Sequence, residues 1–274
     1  MLITKKVKYK MLLIDKYAYM NRWQHIHPIE KMVFTFFLML FSLTVKDTLV
    51  SLITFTVMSA FTILGAKIPF KYYFKLLLVP SFFLLSSMLT ILISFSSNDS
   101  LITSSLWTTK LLGLHIFITE NSVETAIQLF FTVLSSISCL YFLTLTTPVH
   151  DILHVLRRLR VPSLLIELTE ITYRFIFVFL ETSLKIHQAQ NSRLGYLTVK
   201  QSIHSLGLLV SSLFVHVFQR SKELIIAMNS RCYKDDITLL ENDYSFSKKN
   251  WVFIALIFIS IVSVYIQFGG SLNG

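Results

Sequence analysis

The chain is poor in cysteine, glycine and acid. Its 274 residues include 2 Cys, 7 Gly and 15 Asp and Glu, against 25 Lys and Arg. Cys139 lies inside an apolar segment and Cys232 stands apart from it, so neither a disulfide framework nor a metal-knuckle spacing is present. The scarcity of glycine excludes a phosphate-cradling loop, which Gly195 alone does not make. No Ser/His/Asp or Cys/His constellation marks a nucleophilic enzyme. The long apolar segments hold almost no ionisable residue and no matching Gly/Pro-interrupted helices, the features by which a carrier or ion pathway shows itself. The chain is therefore not expected to pass a substrate through its own interior. No cleavable signal peptide is evident either, because the first apolar run begins behind a basic, aromatic tail.

Apolar surface is abundant. A hydrophobic content of 54%, a mean hydropathy of +0.64 and a net charge of +10 point to an all-α polytopic membrane protein. The basic excess then belongs to cytoplasmic loops facing lipid headgroups, not to nucleic acid. Residues 1–31 interleave Lys5, Lys6, Lys8, Lys10, Lys16, Arg22 and Lys31 with Tyr9, Tyr17, Tyr19 and Trp23, the composition of an amphipathic interfacial anchor. Five spans are expected. The first, Met32 to Val45, reaches adequate length by extension to Pro28, with Lys31 and Lys46 snorkelling to the two interfaces. Thr48 to Ala66 follows as the second arm of a helical hairpin. Leu76 to Ser97 comes after a basic connection of Lys67, Lys71 and Lys75; Thr125 to Thr147 and Trp251 to Phe268 complete the set. Between them, residues 98–122 read equally as a hairpin or a short helix.

These spans divide the chain into a four-span membrane domain (1–147), a coupling-helix domain (148–249) and a C-terminal span (250–274). The N-terminal tail, the 67–75 connection and the 148–249 excursion hold 23 of the 25 Lys and Arg. By the positive-inside rule these regions are cytoplasmic, which places the N-terminus inside and the C-terminus outside.

Within the excursion a five-residue signature occurs twice, as Ala189-Gln190-Asn191-Ser192-Arg193 and Ala227-Met228-Asn229-Ser230-Arg231. Each copy closes a segment with the pattern of one long helix, so two arginines are presented at comparable positions on paired rods. The first rod starts near Pro162, a residue suited to a first helical turn. Glu167, Glu170, Arg174, Glu181 and Lys185 follow on one narrow face, with Glu170–Arg174 and Glu181–Lys185 in the favourable acid-first i,i+4 order. The rod would be on the order of 45 Å long. Its charges argue against a lipid-spanning position and for the cytoplasmic interface. The second rod runs from about Thr198 to Arg231. Its middle, Ser202 to Phe218, lacks formal charge but is short for a span and interrupted by His204, Gly207 and His216.

Other polar residues have plainer readings. His150 and His154 stand at i,i+4 but lack a third metal ligand, and they adjoin the basic Arg157, Arg158 and Arg160. Glu167 and Glu170 read as helix-surface partners, and His25 and His27 as interfacial residues.

The runs "IDKYAYMNRW" and "IHPIEK", the run "LTTPVHDILHVLRRLRVPSLLIELTEITYRFIFVFLE" and the twin "NSR" endings resemble the T component of energy-coupling-factor (ECF) transporters, in the CbiQ-like branch associated with cobalt or nickel import and cobalamin biosynthesis. The similarity covers nearly the whole chain. It implies a non-catalytic subunit of an ATP-driven importer in the bacterial cell membrane. ATP and Mg would be held by two cytoplasmic ATP-binding subunits, with no cofactor in this chain, and a separate CbiM-like substrate-capture (S component) membrane protein would be gripped by the apolar faces of the coupling helices. The resemblance also implies that Ser192-Arg193-Leu194 and Ser230-Arg231-Cys232 dock the two ATPase subunits. The family usually places a small residue, often glycine, after the arginine; Leu194 and Cys232 depart from that. A vitamin-type T component, a stand-alone channel or carrier and an intramembrane enzyme are the alternatives.

Overall fold

The computed structural model describes residues 15–45, 47–92, 94–96, 105–111, 114–232, 244 and 246–269. Lys5, Lys6, Lys8, Lys10, Tyr9 and Lys46, and the glycine-rich end of the chain, lie outside them. Eight long helices carry the fold: α1 (Pro28–Val45), α2 (Thr48–Ala60), α3 (Phe70–Leu92), α4 (Glu120–Thr146), α5 (Val149–Arg158), α6 (Ser163–Ser192), α7 (Val199–Ser230) and α8 (Lys248–Val264). Short π-helical segments, Phe61–Gly65 and Tyr265–Gly269, extend α2 and α8. The polytopic all-α class holds, with one small addition. Strands β1 (Ser94–Ser96), β2 (Ser105–Leu111) and β3 (Leu114–Thr119) form an antiparallel sheet of order β1-β3-β2, so the hairpin reading of the 98–122 region is the one realised.

Among the described residues, six helical stretches are long and apolar enough to cross a membrane: Pro28–Val45, Thr48–Gly65, Phe70–Leu92, Glu120–Thr146, Val199–Ser230 and Lys248–Gln267. Five match the spans expected from sequence. The sixth is the second coupling rod. Helix α3 begins six residues before the expected Leu76 and takes Lys71 and Lys75 into its first turns. Contacts separate two compact units, the excursion from Val149 to Asp243 and a bundle that ends at Pro148 and resumes at Tyr244.

In the bundle, α4 packs against α1, α2 and α3, and α8 lies against α1 and α2. One apolar cluster joins Phe34, Leu38, Val50, Met58, Cys139, Phe142 and Ile261; a second joins Ala66, Ile68, Tyr73, Leu77 and Leu145. Between lipid-exposed helices the apolar effect gives little preference for one neighbour over another, so small side chains and interhelical hydrogen bonds decide the pairing. Ser42 and Ser51 pair at 3.2 Å, Ser51 and Thr132 at 3.1 Å, Tyr73 and Ser138 at 2.8 Å, and Ser59 and Tyr73 at 2.9 Å. Pro80 inside α3 lacks the N–H that would satisfy the Leu76 carbonyl, and the Tyr141 hydroxyl of α4 donates to that carbonyl instead, at 3.1 Å. Gly65 is required by a close approach, because a Cβ there would lie 2.5 Å from Trp23 Cζ2.

Lys31 corrects the snorkelling expectation. It is 2% exposed, and its Nζ donates to the Thr146 carbonyl at 3.1 Å, at the C-terminal end of α4. Its neighbour Glu30 is 1% exposed and accepts from the Ser247 N–H (3.1 Å) and from Asn250 Nδ2 (2.7 Å), at the N-terminal end of α8. Each charge sits at the helix end whose dipole favours it. His27 accepts from the Ile29 N–H at 3.1 Å, and Pro28 opens α1, where its missing N–H costs nothing.

Candidate docking tips

In the excursion, α6 and α7 are joined by a corner held by a set of local hydrogen bonds. Gln190 Nε2 donates to the Ser205 carbonyl (2.9 Å) and Gln190 Oε1 accepts from the Tyr196 hydroxyl (2.7 Å). Ser205 Oγ donates to the Gly195 carbonyl (2.7 Å), and His187 packs on Tyr196 with ring centroids 4.5 Å apart. Thr198 is the N-cap of α7, accepting from the Gln201 N–H at 3.3 Å. A Cβ on Gly195 would fall 2.7 Å from Ser205 Oγ and 3.0 Å from the Gln190 carbonyl, so only glycine fits. Past this corner α7 returns antiparallel to α6: Ile171, Arg174, Phe175 and Val178 face Arg220, Glu223, Leu224 and Ala227 across a groove.

Both copies of the signature end their helices in the same geometry. Arg193 and Arg231 are the C-cap residues, with φ/ψ of −94°/15° and −101°/19°. The preceding serines back-bond alike, Ser192 to the Gln188 carbonyl at 3.0 Å and Ser230 to the Ile226 carbonyl at 2.8 Å. The residues that follow, Leu194 and Cys232, are left-handed, with φ of 61° and 58°. At the first tip the N–H groups of Leu194 and Gly195 close onto the carbonyls of Asn191 (3.1 Å) and Gln190 (2.9 Å), completing a Schellman end; at the second, the Cys232 N–H closes onto Asn229 at 3.2 Å. The family's glycine preference thus has a physical source at this position: it needs positive φ, which a residue with a Cβ adopts at a cost of about 1–2 kcal/mol.

Ser192, Arg193, Leu194, Ser230, Arg231 and Cys232 are all exposed. Neither guanidinium has an acidic partner among the described residues. Each stands at the negative end of a helix dipole, which favours the charge without engaging it. The structure does not bring the two tips together. Arg193 lies beside the start of α7 and Arg231 at its end, so the antiparallel return separates them by on the order of 45 Å. The comparable placement expected from sequence is realised at the level of each helix end, while the tips occupy opposite ends of the pair.

The charged stripe on α6 is rearranged. Glu181 and Lys185 pair as expected at 3.2 Å. Glu170 does not reach Arg174; it meets His150 Nδ1 of α5 at 3.4 Å, because the α5–α6 turn brings the two helices together. Glu167 is buried instead of lying on a solvated face. Pro162 is the N-cap of α6, one residue before the first turn. The corner residues Gln190, Tyr196 and Ser205 carried one overlooked signal in the sequence: Gln190 is the position at which the two signatures differ, where the second copy has Met228.

The family profile described as CbiQ, cobalt transport protein, matches residues 20–240. The chain belongs to the CbiQ family. It is similar to the cobalt transport protein CbiQ of Salmonella typhimurium, with 26% identity over 82% of this chain and 99% of that protein. A putative fused cobalt transport protein CbiMQ of Methanocorpusculum labreanum is 34% identical over 70% of this chain and 32% of its own length. The energy-coupling factor transporter transmembrane protein EcfT of Ruminiclostridium cellulolyticum is 27% identical over 81% of this chain and 84% of its own. As a CbiQ-family member with several helices long and apolar enough to cross a membrane, the chain is a multi-pass transmembrane component of the cobalt/ECF transporter class.

Proposed function

We propose that this CbiQ-family chain is the energy-coupling subunit of an ATP-driven importer, in which Arg193 and Arg231 dock two cytoplasmic ATPase subunits that hold ATP and Mg. One observation carries the reading: the same arginine-capped, left-handed helix end occurs twice, exposed and without an acidic partner among the described residues, at opposite ends of an antiparallel pair. Two like tips on the order of 45 Å apart suit two like sockets on two subunits. A guanidinium suits the task because it stays charged and donates in a fixed fork to carboxylates or helix-end carbonyls. A single active site would require the two tips to converge.

The cargo is a divalent transition metal, cobalt or nickel; the names of the CbiQ and CbiMQ relatives support cobalt. It is captured by a separate CbiM-like membrane protein. A relative named as a putative CbiMQ fusion supports that pairing. ATP-driven closure of the ATPases moves the tipped helices, and these shift the capture protein.

This reading fixes the placement of α7. If α7 crossed the bilayer, its two ends would carry Arg193 and Arg231 to opposite faces, and one cytoplasmic partner type would reach only one of them. We place α7 along the cytoplasmic interface, the N-terminus inside and the C-terminus outside. Native Cys232 and a Leu194→Cys variant serve as probes. An impermeant maleimide should label both from the cytoplasmic side only; labelling from opposite sides would overturn the placement. The docking itself is tested with Arg193→Glu/Arg231→Glu, which should abolish copurification of the ATPase subunits without altering the thermal stability of the spans. Retained copurification would refute it. Metal flux through the purified chain alone in liposomes would favour the channel alternative instead.

A further inference from the structure

The chain leaves the bundle at Pro148 and re-enters it at Tyr244. One short stretch, residues 21–31, made of a turn and the start of α1, holds both crossings. On the outgoing side, Lys31 Nζ donates to the Thr146 carbonyl at 3.1 Å and Asn21 Nδ2 donates to the same oxygen at 3.2 Å. On the returning side, Glu30 accepts from the Ser247 N–H and from Asn250 Nδ2, and the His27 ring stacks on Phe246 with centroids 3.9 Å apart and planes 18° apart. Ser247 is the N-cap of α8 and makes no side-chain cap of its own, so the cap is supplied from α1. Two adjacent ionised side chains buried this fully cost several kcal/mol each to desolvate unless well paired. Local stability of α8 alone would come more cheaply from the hydroxyl of Ser247, which already stands at the cap and makes no capping bond. The arrangement ties together Thr146 and Ser247, 101 residues apart in sequence, through the 21–27 turn and the first turn of α1.

We propose that Glu30 and Lys31 are positioning residues for energy coupling: they form a clamp that fixes both roots of the 149–243 excursion to α1. Force applied to the excursion then moves it as a body, where unclamped roots would dissipate the motion by fraying the end of α4 and the start of α8. The proposal rests on the coupling reading above. The complementary charges at opposite helix ends make the clamp specific, since a carboxylate suits only the N-terminal end and an ammonium only the C-terminal end.

The test uses the full transporter in proteoliposomes and, separately, the isolated chain in detergent. Lys31→Met keeps the stem and removes the donor; Glu30→Gln keeps the shape and removes the charge. Both should still copurify with the ATPase subunits and hydrolyse ATP, while cobalt uptake per ATP hydrolysed falls about tenfold, the scale of one lost charge-assisted hydrogen bond. Lys31→Arg, which retains a cationic donor, should restore most of the ratio. A purely structural role predicts lower yield with an unchanged ratio in the surviving complexes, and that result overturns the proposal. Should Glu30→Gln fail to accumulate, Asn250→Ala decides in the same way, by a lowered or an unchanged ratio. In the isolated chain, amide exchange should rise at residues 144–147 and 246–250 in Lys31→Met and Glu30→Gln. Unchanged protection there refutes the clamp whether or not the ATPase docking survives its own test.

Discussion

The bundle helix α4 and the excursion helix α7 are of similar length and both apolar enough to span a membrane, yet they are finished in opposite ways. Along α4, Ala126, Thr132, Ser135, Ser138, Cys139, Phe142, Leu143, Leu145 and Thr146 are buried against neighbouring helices. Along α7 only Ser205 and Leu209 are buried, while Ile203, Val210, Phe214, Phe218 and Ile226 stand exposed. Helix α4 is specified by its neighbours through hydroxyl contacts and fitted side chains. Helix α7 is held mainly near its ends, by the Thr198 cap, the Gln190–Ser205 corner and the Arg231 cap, and most of its flank stays exposed.

This contrast is open to attack by substitution. The largest effect expected is on association: Arg193→Glu with Arg231→Glu removes the two proposed docking anchors, each worth about 2 kcal/mol or more at a buried contact, so pull-down of the ATPase subunits should be lost while the melting temperature in detergent stays put. In the bundle, Gly65→Ala drives a methyl into Trp23 and should destabilise by about 1–3 kcal/mol in a thermal melt, leaving ATPase pull-down from the surviving fraction intact. Ser138→Ala breaks the Tyr73 contact and should cost about 0.6 kcal/mol, with about 1.7 as a ceiling, measured in the same way. Leu194→Gly relieves the left-handed backbone at the first tip and should stabilise the excursion by about 1 kcal/mol, seen as slower amide exchange at residues 190–198. Smallest of all, Phe214→Ser on the exposed flank of α7, where the ring is 70% exposed, should change stability by less than about 0.5 kcal/mol. A large loss of stability there would show that α7 is packed as α4 is, and the contrast would fall.

Much of the architecture was legible in the sequence. Five apolar runs gave five helices, with most ends displaced by only a few residues, because hydrophobic length and the turn at Asp47, whose side chain caps α2 through the Leu49 N–H, are local properties. The twin signature located both tips, since a C-cap depends on a handful of consecutive residues. The third helix was misplaced at its start because the charges of Lys71 and Lys75 resemble a loop, although a helix emerging at an interface accommodates them readily. Glu170 was matched with Arg174 on helical spacing, but His150 belongs to another helix, and spacing within one helix carries no information about the next.

The sequence by itself determined that this is a multi-pass helical protein with two like arginine-ended rods, because hydrophobic run length, charge distribution and helix capping are written in contiguous residues. Only the tertiary structure decided that the two tips lie at opposite ends of an antiparallel pair, that Lys31 is buried against Thr146 instead of reaching for the interface, and that Glu30 caps a helix more than 200 residues away. Those outcomes depend on which helices become neighbours. In a membrane that choice rests on small side chains and isolated hydrogen bonds, whose partners are far apart in the chain and leave no periodic trace in it.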